Sequence, residues 1–129
     1  MADVLTLAIV DDDDDVRRAL ARLLRALGHD VRMFASAEEF EAETVAVDCL
    51  VVDVRLPGLS GLELRDRLRI RATPVPVVLI TGDGDRLARD VCRPVDTPSV
   101  TKPFDDVALM AAIAEAISSA NSLHERHAS

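Results

Sequence analysis

Asp11, Asp12, Asp53, Thr81 and Lys102 are side chains able to do chemistry that stand at equivalent places in this sequence, each at the end of a short apolar or strand-like run. Asp11 and Asp12 follow "LAIV", Asp53 follows "CLVV", Thr81 follows "VVLI", and Lys102 closes the segment Val95 to Thr101. Three carboxylates meeting in one crevice repel unless a hard divalent cation joins them. Mg2+ suits such a set, because it is held by one or two carboxylates while waters and phosphate oxygens complete an octahedron. A carboxylate nucleophile, a metal, a hydroxyl donor and a point-charge ammonium are the parts needed to accept a phosphoryl group and stabilise its equatorial oxygens. Singly these residues are bland, since a strand-end threonine is usually structural and a surface lysine usually solvated. Their joint placement carries the reading.

The first two acids belong to a run of five, "DDDDD" at Asp11 to Asp15, lying between an apolar run and a helical pattern. Asp11 and Asp12 follow the strand at once and reach its end. Asp13 to Asp15 fall at the cap and first turn of the helix, where negative charge complements the macrodipole. This divides the run into a pair available for chemistry and a helix start.

These residues need a scaffold, and the chain of 129 residues suffices for one domain with an aliphatic core: 49% of it is apolar, with three Phe and no Trp or Tyr. The formal net charge of −8 argues against a nucleic-acid surface, which requires clustered Lys and Arg. It suits a cation or a basic partner. Cys49 and Cys92 form no CxxC pair, and no signal peptide or long apolar run is visible, so a reducing cytoplasm and no membrane are expected.

Along the chain, Leu5 to Val10 has strand length, and Val16, Leu20, Leu23, Leu24 and Leu27 recur at helical spacing until Gly28. Val31 to Phe34 reads as a second strand, and "SAEE" at Ser36 to Glu39 as a capping box opening a helix to about Thr44. Cys49 to Val52 is apolar throughout, as a central parallel strand should be. Ser60 and Glu63 form a second possible capping box, and Val77 to Ile80 a fourth strand. "GDGDRLARDVCRP" predicts only a short helix ended by Pro94. Val95 to Thr101 then holds a brief strand, and Asp105 or Asp106 caps a last helix bearing Met110, Ile113, Ala114 and Ile117. The tail from Ser118 is polar and expected to fray. Alternating strands and helices predict an α/β fold, a doubly wound five-stranded parallel sheet in the order 2-1-3-4-5 with right-handed crossovers. In that order the chain reverses between strands 1 and 3, so ligands bind at their carboxyl ends, where Asp11, Asp12 and Asp53 lie.

Four motifs in sequence make the chain resemble the receiver domain of bacterial two-component response regulators: "IVDD" at Ile9 to Asp12, "VVDVRLPGLSG" at Val51 to Gly61, "LITGDGD" at Leu79 to Asp85 and "TKPF" at Thr101 to Phe104. The resemblance covers essentially the whole chain, with a CheY-like (flavodoxin-like) receiver over 1–120 and a polar tail over 121–129. It implies that Asp53 accepts a phosphoryl group from a phosphohistidine on a sensor histidine kinase or histidine phosphotransfer protein. It further implies that Asp12 and Asp53 ligate Mg2+, that the backbone carbonyl of Arg55 is a third ligand, and that Asp11 acts through a water. Thr81 and Lys102 would grip the phosphoryl oxygens, and the Lys102 to Pro103 peptide would be cis. The implied protein is a signalling domain with only self-catalysed phosphotransfer and autodephosphorylation, not a substrate-turning enzyme. Its implied partners are the kinase and an output domain or partner protein, with no direct nucleic-acid binding. Its implied oligomeric state is a monomer or a phosphorylation-dependent homodimer. The wording of "TGDGD" and "KPF" is closest to receivers ahead of helix-turn-helix output domains or on hybrid kinases; a stand-alone regulator and an excised receiver both fit.

Two alternatives have specific tests in the residues. A haloacid-dehalogenase-type phosphatase needs a second Asp two residues after its nucleophile as general acid, and Arg55 occupies that place. A calcium loop counted from Asp11 has Val16 where Gly is needed and Arg22 where Glu is needed. His124 and His127 have helical spacing but lie in the tail, His29 reads as a solvent-facing turn residue, and Cys49 reads as buried packing. The chain departs from the family at Ser99, where receivers generally carry Tyr or Phe three residues before the lysine, and in the proline-punctuated "RPVDTPS". A phosphate sink or docking module with a muted conformational switch is therefore the second functional reading.

Overall fold

The computed structural model describes residues 4–43, 46–70, 74–82, 97–102 and 105–128, with backbone only over 121–128. The elements are β1 (Thr6–Val10), α1 (Asp14–Ala26), β2 (Asp30–Phe34), α2 (Ala37–Glu43), β3 (Cys49–Asp53), α3 (Gly61–Arg69), β4 (Val77–Thr81), β5 (Ser99–Thr101) and α4 (Asp106–Ala128). The sheet is parallel in the order β2-β1-β3-β4-β5, as the alternation of elements predicts. The short helix expected before Pro94, with Cys92, and the peptide joining Lys102 to Pro103 lie outside the described residues, as does Thr44.

Period-two alternation sorts the central strands between two cores. Ala8, Val10, Leu50, Val52, Val77 and Leu79 point to the layer holding α2 and α3. Leu7, Ile9, Cys49, Val51, Val78 and Ile80 point to the layer holding α1 and α4. Burial on both faces is why β1, β3 and β4 read as unbroken apolar runs. The edge strand β2 differs: Asp30, Arg32 and Met33 are exposed, and charges on an edge discourage pairing with another chain. Phe34 and Phe40 meet edge-to-face with centroids 5.4 Å apart, in the range such pairs prefer. Cys49 is a buried free thiol whose pKa burial pushes up to about 12, which makes it inert packing.

Caps set the helix starts. Asp13 Oδ1 accepts from the N–H groups of Asp15 and Val16, Ser60 and Glu63 form a reciprocal capping box, and Asp105 Oδ1 accepts from Ala108 N–H. Ser36 Oγ accepts from Glu39 N–H, but the Glu39 carboxylate reaches Ala35 N–H, one residue before the cap. At the end of α1, Gly28 sits at φ 96°, and the N–H groups of Gly28 and His29 reach the carbonyls of Arg25 and Leu24. This is a Schellman closure, which favours glycine at that position.

Two expectations change. His29 is not a free turn residue, because its Nδ1 accepts from Leu5 N–H at 3.1 Å and so ties the α1–β2 turn to the start of β1. The last helix does not end near Ser118; α4 continues to Ala128, since nothing after Ser118 is a Gly or Pro breaker.

Gly61 has the tightest surroundings of the described glycines. Its N–H donates to the Val54 carbonyl, and a Cβ there would lie 2.2 Å from the Asp53 carbonyl oxygen. Because the obstacle is backbone, Gly61→Ala is expected to destabilise the fold by about 1–3 kcal/mol. Urea melts read this as a lowered midpoint at unchanged slope; an unchanged midpoint would refute the close approach.

Candidate functional site

The carboxyl ends of β1, β3, β4 and β5 form one rim, and backbone hydrogen bonds extend the ladder just beyond the strands. Asp11 N–H donates to Phe34 O, Val54 N–H to Ile80 O and Lys102 N–H to Thr81 O. The residues following β1, β3 and β5 are therefore held by the same ladder as the strands. At this rim, carboxylate oxygens of Asp11, Asp12 and Asp53 lie within 4.8 Å of one another. Lys102 Nζ donates to Asp53 Oδ2 at 3.1 Å and stands 3.9 Å from Asp11 Oδ2. Four of the five sequence-selected side chains thus meet.

The fifth shares the rim but faces another way. Thr81 is buried, and its hydroxyl is 3.4 Å from Val100 O and 3.3 Å from Thr101 Oγ1, on the β5 side. Arg55 is placed by its neighbour, since its N–H donates to Asp53 Oδ1 at 2.9 Å. Asp13 to Asp15 stay out of the cluster as the helix start, as the division of the aspartate run requires.

Asp11 is the most constrained acid. Its side chain is only 1% exposed, Oδ1 accepts from Asp13 N–H, and Oδ2 is buried with no hydrogen-bond partner. Burial, with repulsion from Asp53 and Asp12, raises its pKa against the opposing effects of the Asp13 hydrogen bond and Lys102. Lys102 is itself shifted. Burial acts to lower its pKa, but the hydrogen bond and charge of Asp53, with Asp11 and Asp13, outweigh burial and raise it. The donor set fits a hard cation: oxygen ligands only, three carboxylates, and one buried oxygen with no proton donor. One lysine cannot neutralise three carboxylates.

Three further residues position the site: Arg17, which lies in no quoted motif, and Glu38 and Gly58, whose motifs did not reveal this role. Arg17 Nη1 donates to Asp11 O at 2.6 Å while Nη2 pairs with Asp14, pinning the loop that presents Asp11 and Asp12. Glu38, at the start of α2, accepts from Leu59 N–H at 3.1 Å across 21 residues, and that hydrogen bond leads the causes lowering its pKa. This clamp holds the β3–α3 loop. Gly58, at φ 75°, leaves room for it, for a Cβ would come within 2.5 Å of Glu38 Oε2.

The family of response regulator receiver domains matches residues 7–114. The chain belongs to this family. The receiver is 41% identical over 116 residues to the transcriptional regulatory protein FixJ of Azorhizobium caulinodans, covering 88% of this chain and 55% of that protein. It is 37% identical over 112 residues to the response regulator protein TmoT of Ectopseudomonas mendocina, covering 84% of this chain and 51% of that one. Among solved structures, the crystal structure of FixJ-N superposes with a TM-score of 0.75 at 37% identity, covering 92% of the receiver and 96% of that chain. Full-length FixJ from B. japonicum superposes with a TM-score of 0.80 at 34% identity, over 96% of this chain and 63% of that one. The receiver spans about half the length of the curated relatives it matches. It is a receiver domain of two-component response regulators, with the CheY-like fold the motifs imply. Among the described residues no helix is long and apolar enough to cross a membrane.

Asp11 generates a stability prediction. A carboxyl whose folded pKa lies above its unfolded value contributes most below the unfolded pKa, and that contribution is lost as pH rises through the folded pKa. At neutral pH without divalent metal, ionised Asp11 therefore strains the fold. Asp11→Asn keeps the acceptor for Asp13 N–H and places an amide donor at the other branch, so it is expected to stabilise the metal-free protein by about 1–3 kcal/mol at pH 7. The gain should shrink as pH falls through the raised Asp11 pKa. Paired urea melts from neutral to acidic pH measure it; a variant less stable than wild type at pH 7 would contradict the assignment.

Proposed function

We propose that Asp53 is the phosphoacceptor of this receiver and that Asp11, Asp12, Lys102 and Thr81 form the machinery around it. The observation that carries the proposal is the 3.1 Å contact of Lys102 with Asp53 beside two further carboxylates at the strand ends. A carboxylate oxygen of Asp53 attacks the phosphorus of a phosphohistidine on a sensor histidine kinase or histidine phosphotransfer protein. The P–N bond breaks, its electron pair stays on the imidazole, and an acyl phosphate forms on Asp53. Lys102 already spans Asp53 and Asp11, so its ammonium stands where the phosphoryl oxygens arrive, and the strand-end position of Thr81 lets its hydroxyl turn to them.

Asp12 and Asp53, with the Arg55 carbonyl and with Asp11 through a water, are the residues that would hold Mg2+. When bound, the ion supplies charge neutralisation to the transferring phosphoryl group. The domain, residues 1–120, then acts as a phosphorylation-controlled switch in the cytoplasm for an output domain or partner protein, without turning over a substrate of its own and without touching nucleic acid.

The test is labelling by a small phosphodonor followed by intact mass. With Mg2+ the protein is expected to gain one acid-stable, alkali-labile phosphoryl group, and to gain none in EDTA. Asp53→Asn should not label, and Lys102→Ala should label or respond roughly 100-fold more slowly, the size of effect seen when one transition-state donor is removed. Equal labelling of wild type and Asp53→Asn would remove Asp53 from the role.

A second reading, a phosphate sink or docking module with a muted switch, is supported by Ser99. It is exposed at the start of β5 and borders an open cavity of about 430 Å³ with Thr101, Asp105 and Ala111. A serine has little bulk with which to pack differently in two states, and a ligand shifts an equilibrium only through a differential interaction with them. Beryllofluoride, a phosphoryl mimic, is expected to shift amides near Asp53 and Thr81 and to leave α4 nearly unchanged. Large concerted shifts through β5 and α4 with stable dimerisation would overturn the muted reading.

A further inference from the structure

We propose that the amino-terminal end of the sheet carries a second site, distinct from the acidic rim, that binds a small carboxylate with a short apolar tail. A cavity of about 90 Å³ lies between the end of α3, the starts of β4 and β5, and α4. That is several times the roughly 10–15 Å³ that admits one water. Arg65 and Arg69 line it from α3, and Val75, Pro98, Ala116 and Ser119 are among the residues facing them. Spaced four apart, the two arginines share one helix face.

Arg65 is the residue that makes this a site. It is 4% exposed, an unusual state for arginine. Its Nε and Nη2 both donate to Asp66 Oδ1, at 3.1 and 2.9 Å, which occupies one side of the guanidinium fork. Nη1 is buried with no hydrogen-bond partner. A buried guanidinium nitrogen without an acceptor is costly, and an acceptor-only anion is the complement it lacks. Arg69 adds a second guanidinium, its Nη2 donating to Thr97 Oγ1 at 2.8 Å.

The remaining wall selects among anions. Beyond the arginines only the hydroxyls of Thr97 and Ser119 could donate, since Val75, Pro98 and Ala116 carry no side-chain donors, so a phosphate, which needs donors around three or four oxygens, would be left partly unsatisfied. A carboxylate sets both oxygens against the arginines and lays a short hydrocarbon tail on the apolar wall. The rim residues Arg69 and Ser119 are exposed or half-buried, which leaves an entrance. Strand direction places this cavity at the opposite end of the sheet from Asp53.

Sodium butyrate is the probe, titrated into the isotope-labelled full chain at constant sodium and ionic strength, with chloride, acetate and inorganic phosphate in parallel. Butyrate is expected to give saturable amide shifts at Val75, Val77, Thr97 and Ala116, with a dissociation constant on the order of 1 mM. Acetate should bind roughly tenfold more weakly, because two methylenes leave the wall. Arg65→Gln should abolish the shifts, and Asp53→Asn should keep them. Should Arg65→Gln fail to fold, Ala120→Leu, at a residue that lines the cavity from α4, fills it with the guanidinium in place and should abolish them too. The proposal is overturned by chloride reproducing the shifts, by phosphate binding as tightly as butyrate, or by butyrate shifts that persist in the folded variants or centre on Asp53.

Discussion

Carboxylates that would separate in water are held together at one rim, and much of the local structure follows from that constraint. The oxygens of Asp11 and Asp53 lie within 4.8 Å; at an effective dielectric of about 20, two full charges that close repel by roughly 3.5 kcal/mol. Backbone geometry sets the separation, because Asp11 and Asp53 follow or end adjacent strands whose register pairs Val10 with Val52. Relief must therefore come from the surroundings. Lys102 supplies one positive charge, and Asp13 N–H supplies one donor to Asp11. Asp11 Oδ2 has none. That buried oxygen is an acceptor which a hard cation, directly or through a water, would satisfy.

The sheet order and central strands were legible because their signal is redundant. An unbroken run such as "CLVV" or "VVLI" has one comfortable place in a small α/β domain, between two helical layers. The candidate site residues sit where those runs stop, so reading the strands also placed Asp11, Asp12, Asp53, Thr81 and Lys102 at one rim. Ser60 with Glu63 and the aspartates after Asp12 were readable as helix starts for a similar reason, because capping is local and its spacing is short. The extent of α4 was not legible, because polarity alone does not stop a helix; an explicit breaker does, and none follows Ser118.

The contacts the sequence concealed share one property: their partners are backbone groups or residues distant in the chain. His29 Nδ1 meets Leu5 N–H across 24 residues, Glu38 meets Leu59 N–H across 21, and Arg17 reaches the carbonyl of Asp11. A side chain that satisfies a backbone group leaves no complementary residue type to find, so no spacing reveals it. Arg65 was hidden for the opposite reason. A helix reading "LELRDRLR" places its arginines toward solvent by default, and only the position of α3 above the start of β4 turns one inward.

The direction of a parallel sheet explains why helix starts and acids share the same end. After each of β1, β3 and β5 the chain turns at the rim and starts a helix there, at Asp14, Gly61 and Asp106. The positive ends of three helix dipoles therefore lie toward the rim that holds the acids. Those dipoles partly offset the carboxylates, though the nearest of their N–H groups are engaged by the caps Asp13, Ser60 and Asp105. What remains is a field that tolerates negative charge without neutralising it. A further anion at this rim would add negative charge to the field. Lys102, already shared between Asp53 and Asp11, is one positive charge set against three carboxylates.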